Sequence, residues 1–131
     1  MTSPAKPRPL SPHLQIYKPQ ISSVLSIFHR MTGVALAFGL IIFVGWLVFL
    51  AGGPQSYAYF ISLCQTLIGK ILLLGFGWAF FYHFCCGIRH LCWDAGWFLS
   101  IRSMYVTGYL TLLVSFALTL YIGLRIFSVM P

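Results

Sequence analysis

Three stretches of this chain run for a membrane's thickness without an Asp, Glu, Lys or Arg: Met31 to Gly53, Ile71 to Ile88 and Ser103 to Leu124. Each has the roughly 17 to 25 residues that cross a hydrocarbon core of about 30 Å at about 1.5 Å of rise per residue. The pattern predicts an all-α integral membrane fold in one domain over 1–131, with transmembrane helices at about 22–53, 62–93 and 103–127. Gly52-Gly53-Pro54 ends the first helix in a turn, and Gln55 to Tyr59 are expected to form a short connection. The second helix should begin near Ser62, ahead of Lys70, and run to about Trp93, where Asp94-Ala95-Gly96 breaks it.

Residues 1–20 hold five of the seven prolines, Pro4, Pro7, Pro9, Pro12 and Pro19, too closely spaced for a helix. An extended segment is expected there. Its Arg8-Pro9-Leu10-Ser11-Pro12-His13-Leu14 portion is apolar enough to dock and has no core of its own, which points to the surface of a soluble partner. From Ser22 to Arg30 the chain can run as a helix into the first span. Ser26, His29, Arg30 and Gly33 then stand at i, i+3, i+4 and i+7, one polar stripe at the membrane surface.

Composition agrees with the spans, since only 7% of the 131 residues are charged, against about a quarter in a soluble domain. The net charge of +7 could signal a nucleic-acid partner. However, Lys6, Arg8, Lys18, Arg30, Arg89 and Arg102 all fall on one side of alternating spans, with Lys70 and Arg125 on the other. That asymmetry is a topology signal: it puts the N-terminus inside, in a chain surrounded by membrane lipid, and leaves no charge argument for nucleic acid. Tyr57, Tyr59 and Phe60 outside, with Trp93, Trp97 and Tyr105 inside, fit the aromatic belts of the two interfaces. The first apolar segment is longer than a signal-peptide core and lacks a small-residue cleavage pattern, so it is expected to stay. Cys64, Cys85, Cys86 and Cys92 show no paired CxxC spacing of a zinc site and read as small apolar packing groups.

His83 stands in the middle of the second span, where an imidazole has no water to bond and is read as functional unless a partner accounts for it. Arg89 marks the inner boundary about 9 Å further along the helix, and His90 follows His83 by two turns, about 10 Å on the same face. Gly87 removes a side chain from that face, so a flat macrocycle could approach the backbone. A cofactor with a metal at depth and acids near the surface suits this arrangement, and haem b is such a cofactor. With no CxxCH motif it would be held without thioether bonds. Electron carriers of the b type usually have two axial ligands, whose nitrogens lie within about 4 Å of one another across the metal, so His90 is too far away to be the second. His29 is placed at the surface, His13 in the tail, and Met31, Met104 and Met130 near span ends. One haem would therefore be shared with a second chain, with His29, Arg30 and His90 suited to its propionates. The plainer alternative makes His83 a packing residue hydrogen-bonded between helices.

Asp94 is the only acidic residue, so general acid–base catalysis on a polar metabolite has almost no material. Ser26 and Arg30 offer hydrogen-bond donors of the kind a quinone carbonyl needs in an apolar pocket. Alternatively, Arg30 marks the interface and Ser26 bonds its own helix backbone. A transporter would need polar residues lining a path, yet the first and third spans offer chiefly Ser, Thr and Gly, which more often mediate close packing. A structural anchor without redox function accounts for the spans and the tail but not for His83.

Arg8 through Leu14, Ser26-Ile27-Phe28-His29-Arg30-Met31-Thr32-Gly33 and His83 through Asp94 together resemble the cytochrome b556 membrane-anchor subunits of succinate dehydrogenase, respiratory complex II. The combination of SxxHRxTG with HxxxGIRHLxWD carries the resemblance, which extends over nearly the whole chain. It implies a second small hydrophobic anchor subunit, and a flavoprotein and an iron–sulfur subunit held on the inner face. Electrons from succinate oxidation would pass through the iron–sulfur subunit to ubiquinone, with haem b between the two anchors. By position, the resemblance implies that His83 is an axial haem ligand and that Ser26 and Arg30 belong to the quinone site. It likewise implies that His29, Arg30 and His90 surround the propionates. Arg89 and Asp94 belong to the motif too, and the resemblance implies for them a structural or quinone-neighbourhood role. No catalytic chemistry is expected from this chain alone. The same anchor role in a fumarate reductase is the alternative. A bacterial inner membrane, with the N-terminus cytoplasmic, is expected over the mitochondrial inner membrane because no Ser/Arg-rich leader is present.

Overall fold

The computed structural model describes residues 18–129, and the proline-rich segment expected to be extended lies largely outside them. Four helices follow in order: α1 (Ile21–Ala51), α2 (Pro54–Gln65), α3 (Leu67–Asp94) and α4 (Ile101–Val129). Three of them, α1, α3 and α4, are long and apolar enough to cross a membrane. The 31 residues of α1 extend about 46 Å at the helical rise, longer than the hydrocarbon core, so its first turns stand at the interface.

The expected connection after the first span is itself a helix. Gly53, at φ +91°, turns the chain, and Pro54 occupies the first helical turn of α2, where its fixed φ suits a helix and its missing N–H costs nothing. The next helix starts at Leu67 rather than near Ser62, because Thr66 takes an extended conformation and its hydroxyl accepts the Gly69 amide at 3.0 Å, capping α3. Gly69 is required there: a Cβ would collide with the Leu63 carbonyl oxygen as α2 folds back onto α3. The break after α3 falls at Ala95 and Gly96, as the sequence indicates.

The helices run up, down and up. Arg30, Arg89 and Arg102 share one end of the bundle, and Lys70 meets the Phe127 ring at 5.6 Å at the other. Packing is thin and concentrated near the basic end, where Leu25, Tyr82 and Cys86 are buried against Ile21, Trp78 and Leu112. Thr107, Thr111, Ser115 and Thr119 of α4 turn their hydroxyls back onto carbonyls of their own helix. Small side chains of this kind let helix backbones approach in lipid, and Ser115 is completely buried. The outward surface is apolar, with Phe38, Ile41, Leu113 and Leu120 more than half exposed. That suits hydrocarbon, where only self-satisfied backbones such as helices can stand.

Candidate functional site

Where α1 and α3 cross, two neighbouring residues of α3 reach carbonyls of α1. The Tyr82 hydroxyl donates to the Leu25 carbonyl at 2.9 Å, and His83 Nδ1 lies 3.1 Å from the His29 carbonyl oxygen. Tyr82 is fully buried between Trp78, with stacked rings 5.3 Å apart, and Phe28. His83 comes close because residue 33 is glycine: a Cβ there would stand 3.0 Å from the His83 ring carbon Cε1.

A carbonyl oxygen only accepts, so His83 Nδ1 carries the ring proton and Nε2 of the neutral ring keeps its lone pair. Nothing described bonds to that second nitrogen. His29 stacks on His83 with centroids 4.1 Å apart and planes 21° apart, and its ring lies 5.1 Å from His90. The three rings form a ladder across the two helices. His29 Nε2 is buried with no hydrogen-bond partner among the described residues, a polar atom whose desolvation is uncompensated unless something binds there. A Cβ on Gly87 would meet open space, so the same side of α3 has room.

His29 stands beside His83, because the Tyr82–Leu25 and His83–His29 bonds set the register of α1 on α3 and stack the two rings. His90 is exposed and makes an edge contact with Trp93 at 5.1 Å. Ser26 is half-buried and Arg30 exposed, and neither makes a hydrogen bond with the described residues. The structure therefore brings His29, His83 and His90 together and leaves the donors of Ser26 and Arg30 available on the adjoining turn of α1.

Arg89 is 7% exposed. Its Nε donates to Thr107 Oγ1 at 3.0 Å, its terminal nitrogen to the Met104 carbonyl at 2.8 Å, and its guanidinium lies 4.1 Å from the centre of the Trp93 ring. It therefore bolts α3 to α4. Asp94 is exposed at the end of α3. Sequence reasoning missed Thr32, whose hydroxyl lies 3.3 Å from His83 Nδ1; its place between His29-Arg30 and Gly33 was the available signal. A cleft of about 250 Å³ opens on the other side of α3, lined by Cys85, Arg89, Cys92, Phe98 and Thr111, and does not include the histidine ladder.

These features define a multi-pass α-helical membrane protein with a histidine cluster at the basic end of its bundle. The chain belongs to the succinate dehydrogenase/fumarate reductase transmembrane subunit family, whose model matches residues 4–122. It is 51% identical over 113 residues to a succinate dehydrogenase cytochrome b556 subunit of Rickettsia typhi, covering 86% of this chain and 88% of that one. A cytochrome b560 subunit of Reclinomonas americana is 46% identical over 123 residues, covering 86% and 82% of the two chains. A cytochrome b556 subunit of Paracoccus denitrificans is 40% identical over 98 residues, covering 75% of each.

Proposed function

We propose that this chain is a membrane-anchor cytochrome b subunit of a succinate:ubiquinone oxidoreductase, and that it holds one haem b through His83 Nε2. The observation that carries the reading is the hydrogen bond from His83 Nδ1 to the His29 carbonyl, which leaves Nε2 as a metal-ligating lone pair within a membrane span. The orphaned Nε2 of His29, with His90 and Arg30 nearby in sequence and fold, supplies hydrogen-bonding and cationic groups for the propionates. Bound there, haem b supplies a one-electron iron couple. The residues of this chain hold and orient it, and their flanking apolar side chains keep water away.

A second small hydrophobic anchor subunit would supply the other ligand of a shared haem. His29, though beside His83, stacks face to face with it, and rings so disposed cannot point their nitrogens at one another across a metal. Ser26 and Arg30 donate hydrogen bonds to a ubiquinone carbonyl at the adjoining surface. Flavoprotein and iron–sulfur subunits lie on the inner face, and the N-terminus is cytoplasmic in a bacterial inner membrane. The relatives' naming as succinate dehydrogenase subunits favours succinate oxidation over fumarate reduction. The test is purification with bound partners, identification of those chains and a reduced-minus-oxidised spectrum. Flavoprotein, iron–sulfur and second anchor chains with a b-type signal are expected; the chain recovered with none of them and no haem overturns the reading.

A further inference from the structure

An axial histidine offers one of two ring nitrogens, and something must hold the ring so that the same one is always presented. In this chain the holding groups are on α1. His83 Nδ1 stands 3.1 Å from the His29 carbonyl oxygen and 3.3 Å from Thr32 Oγ1. The Thr32 hydroxyl itself lies 2.9 Å from the carbonyls of both Phe28 and His29. Its single proton is thus committed to its own helix, and a lone pair is left facing Nδ1. Both groups at Nδ1 are therefore acceptors for one shared N–H. Thr32 is 4% exposed, so its hydroxyl is shielded from competing solvent.

We infer that Thr32 is a positioning residue for the haem ligand: with the His29 carbonyl it fixes the Nδ1–H tautomer and orientation of His83, so that Nε2 is the nitrogen offered to iron. This rests on the haem reading above. A hydrogen bond from Nδ1–H makes the imidazole a stronger donor, which favours the ferric state. Removing one of the two acceptors weakens that donation and raises the midpoint potential.

The experiment compares the complex purified with its partner chains and carrying Thr32→Val, Thr32→Ala or Thr32→Ser, with His83→Ala in parallel. The readouts are the haem-to-protein ratio and a redox titration of the haem band. Valine keeps the shape and alanine reduces it, so loss of the hydroxyl is what the two share. Both are expected to titrate at a more positive potential than the parent and to retain haem roughly tenfold less tightly. Thr32→Ser, which keeps the hydroxyl, is expected to match the parent. Unchanged potentials and retention in the valine and alanine variants, with haem absent from His83→Ala, overturn the positioning role and leave the ligand assignment standing. Normal haem in His83→Ala overturns the ligand assignment and the positioning role with it. Failure of the valine and alanine variants to assemble, where haem-free His83→Ala does assemble, shows that Thr32 serves helix packing and also overturns the inference.

Discussion

His83 donates from Nδ1 to the His29 carbonyl oxygen across the α1–α3 contact at 3.1 Å. The residue before it, Tyr82, does the same to the Leu25 carbonyl one helical turn away. Adjacent side chains of α3 thus grip carbonyls four residues apart on α1, and the two helices cannot slide past one another without breaking both bonds. The His83 ring inherits its position from that register.

Gly33→Ala should disturb this contact first. The new Cβ would stand 3.0 Å from His83 Cε1, and overpacking of this kind costs about 1–3 kcal/mol, here falling on the ring that presents Nε2. A lower haem-to-protein ratio is expected in the purified complex. Gly45→Ala is the control, because a Cβ there meets nothing within 4 Å on the same helix; equal haem content in the two variants would show that the close approach is immaterial.

Arg89 should matter for stability rather than for the quinone. Arg89→Met removes its bonds to Thr107 and Met104, and hydrogen bonds from a charged group contribute about 1.5–3 kcal/mol. The assembled complex should unfold at a lower temperature or detergent concentration. Arg89→Lys should restore only part of this, since an ammonium cannot reproduce the planar fork or its stacking on Trp93. Unchanged unfolding in Arg89→Met would remove its role as a bolt between helices.

The spans were legible because an uninterrupted apolar run of spanning length has little use outside a bilayer. His83 stands out in the sequence because an imidazole within a membrane span is costly without a purpose. The helix α2 was not legible, since Gly52-Gly53-Pro54 reads equally as a turn and as a helix start, and only the capping by Thr66 separates α2 from α3. Nor was the stacking of His29 on His83. It depends on the offset of α1 against α3, which two side-chain bonds to backbone decide and no periodicity records. Arg89 stood out within the run from His83 to Asp94, but its partners Thr107 and Met104 lie on another helix.

Ser26→Ala should lower succinate-to-ubiquinone activity while succinate oxidation with a soluble artificial acceptor stays near normal. Removing a donor from a carbonyl in an apolar site costs about 1–3 kcal/mol, roughly a tenfold to hundredfold loss. Arg30→Leu should cost more, and it also risks the propionate surroundings, so Ser26 is the cleaner test. A fully assembled Ser26→Ala complex with unchanged ubiquinone turnover and apparent affinity would reduce Ser26 to a helix residue that lies on the right face.

Expressed without its partners, the chain should neither hold haem stably nor resist aggregation. Its outward surface carries many exposed apolar side chains, and His29 is stacked on His83 where it cannot serve as the second ligand. A stable, haem-loaded monomer with both ligands from this chain would overturn the shared site.

The most direct test of His83 as the ligand is the reduced-minus-oxidised absorption spectrum of the assembled complex carrying His83→Ala, taken beside His90→Ala. The b-type signal should be lost or severely perturbed in His83→Ala while the partner chains still copurify. It should persist in His90→Ala with a shifted midpoint potential, because His90 is exposed and two turns from His83. A b-type signal of normal position and amplitude in assembled His83→Ala would contradict the assignment of His83 as the haem ligand.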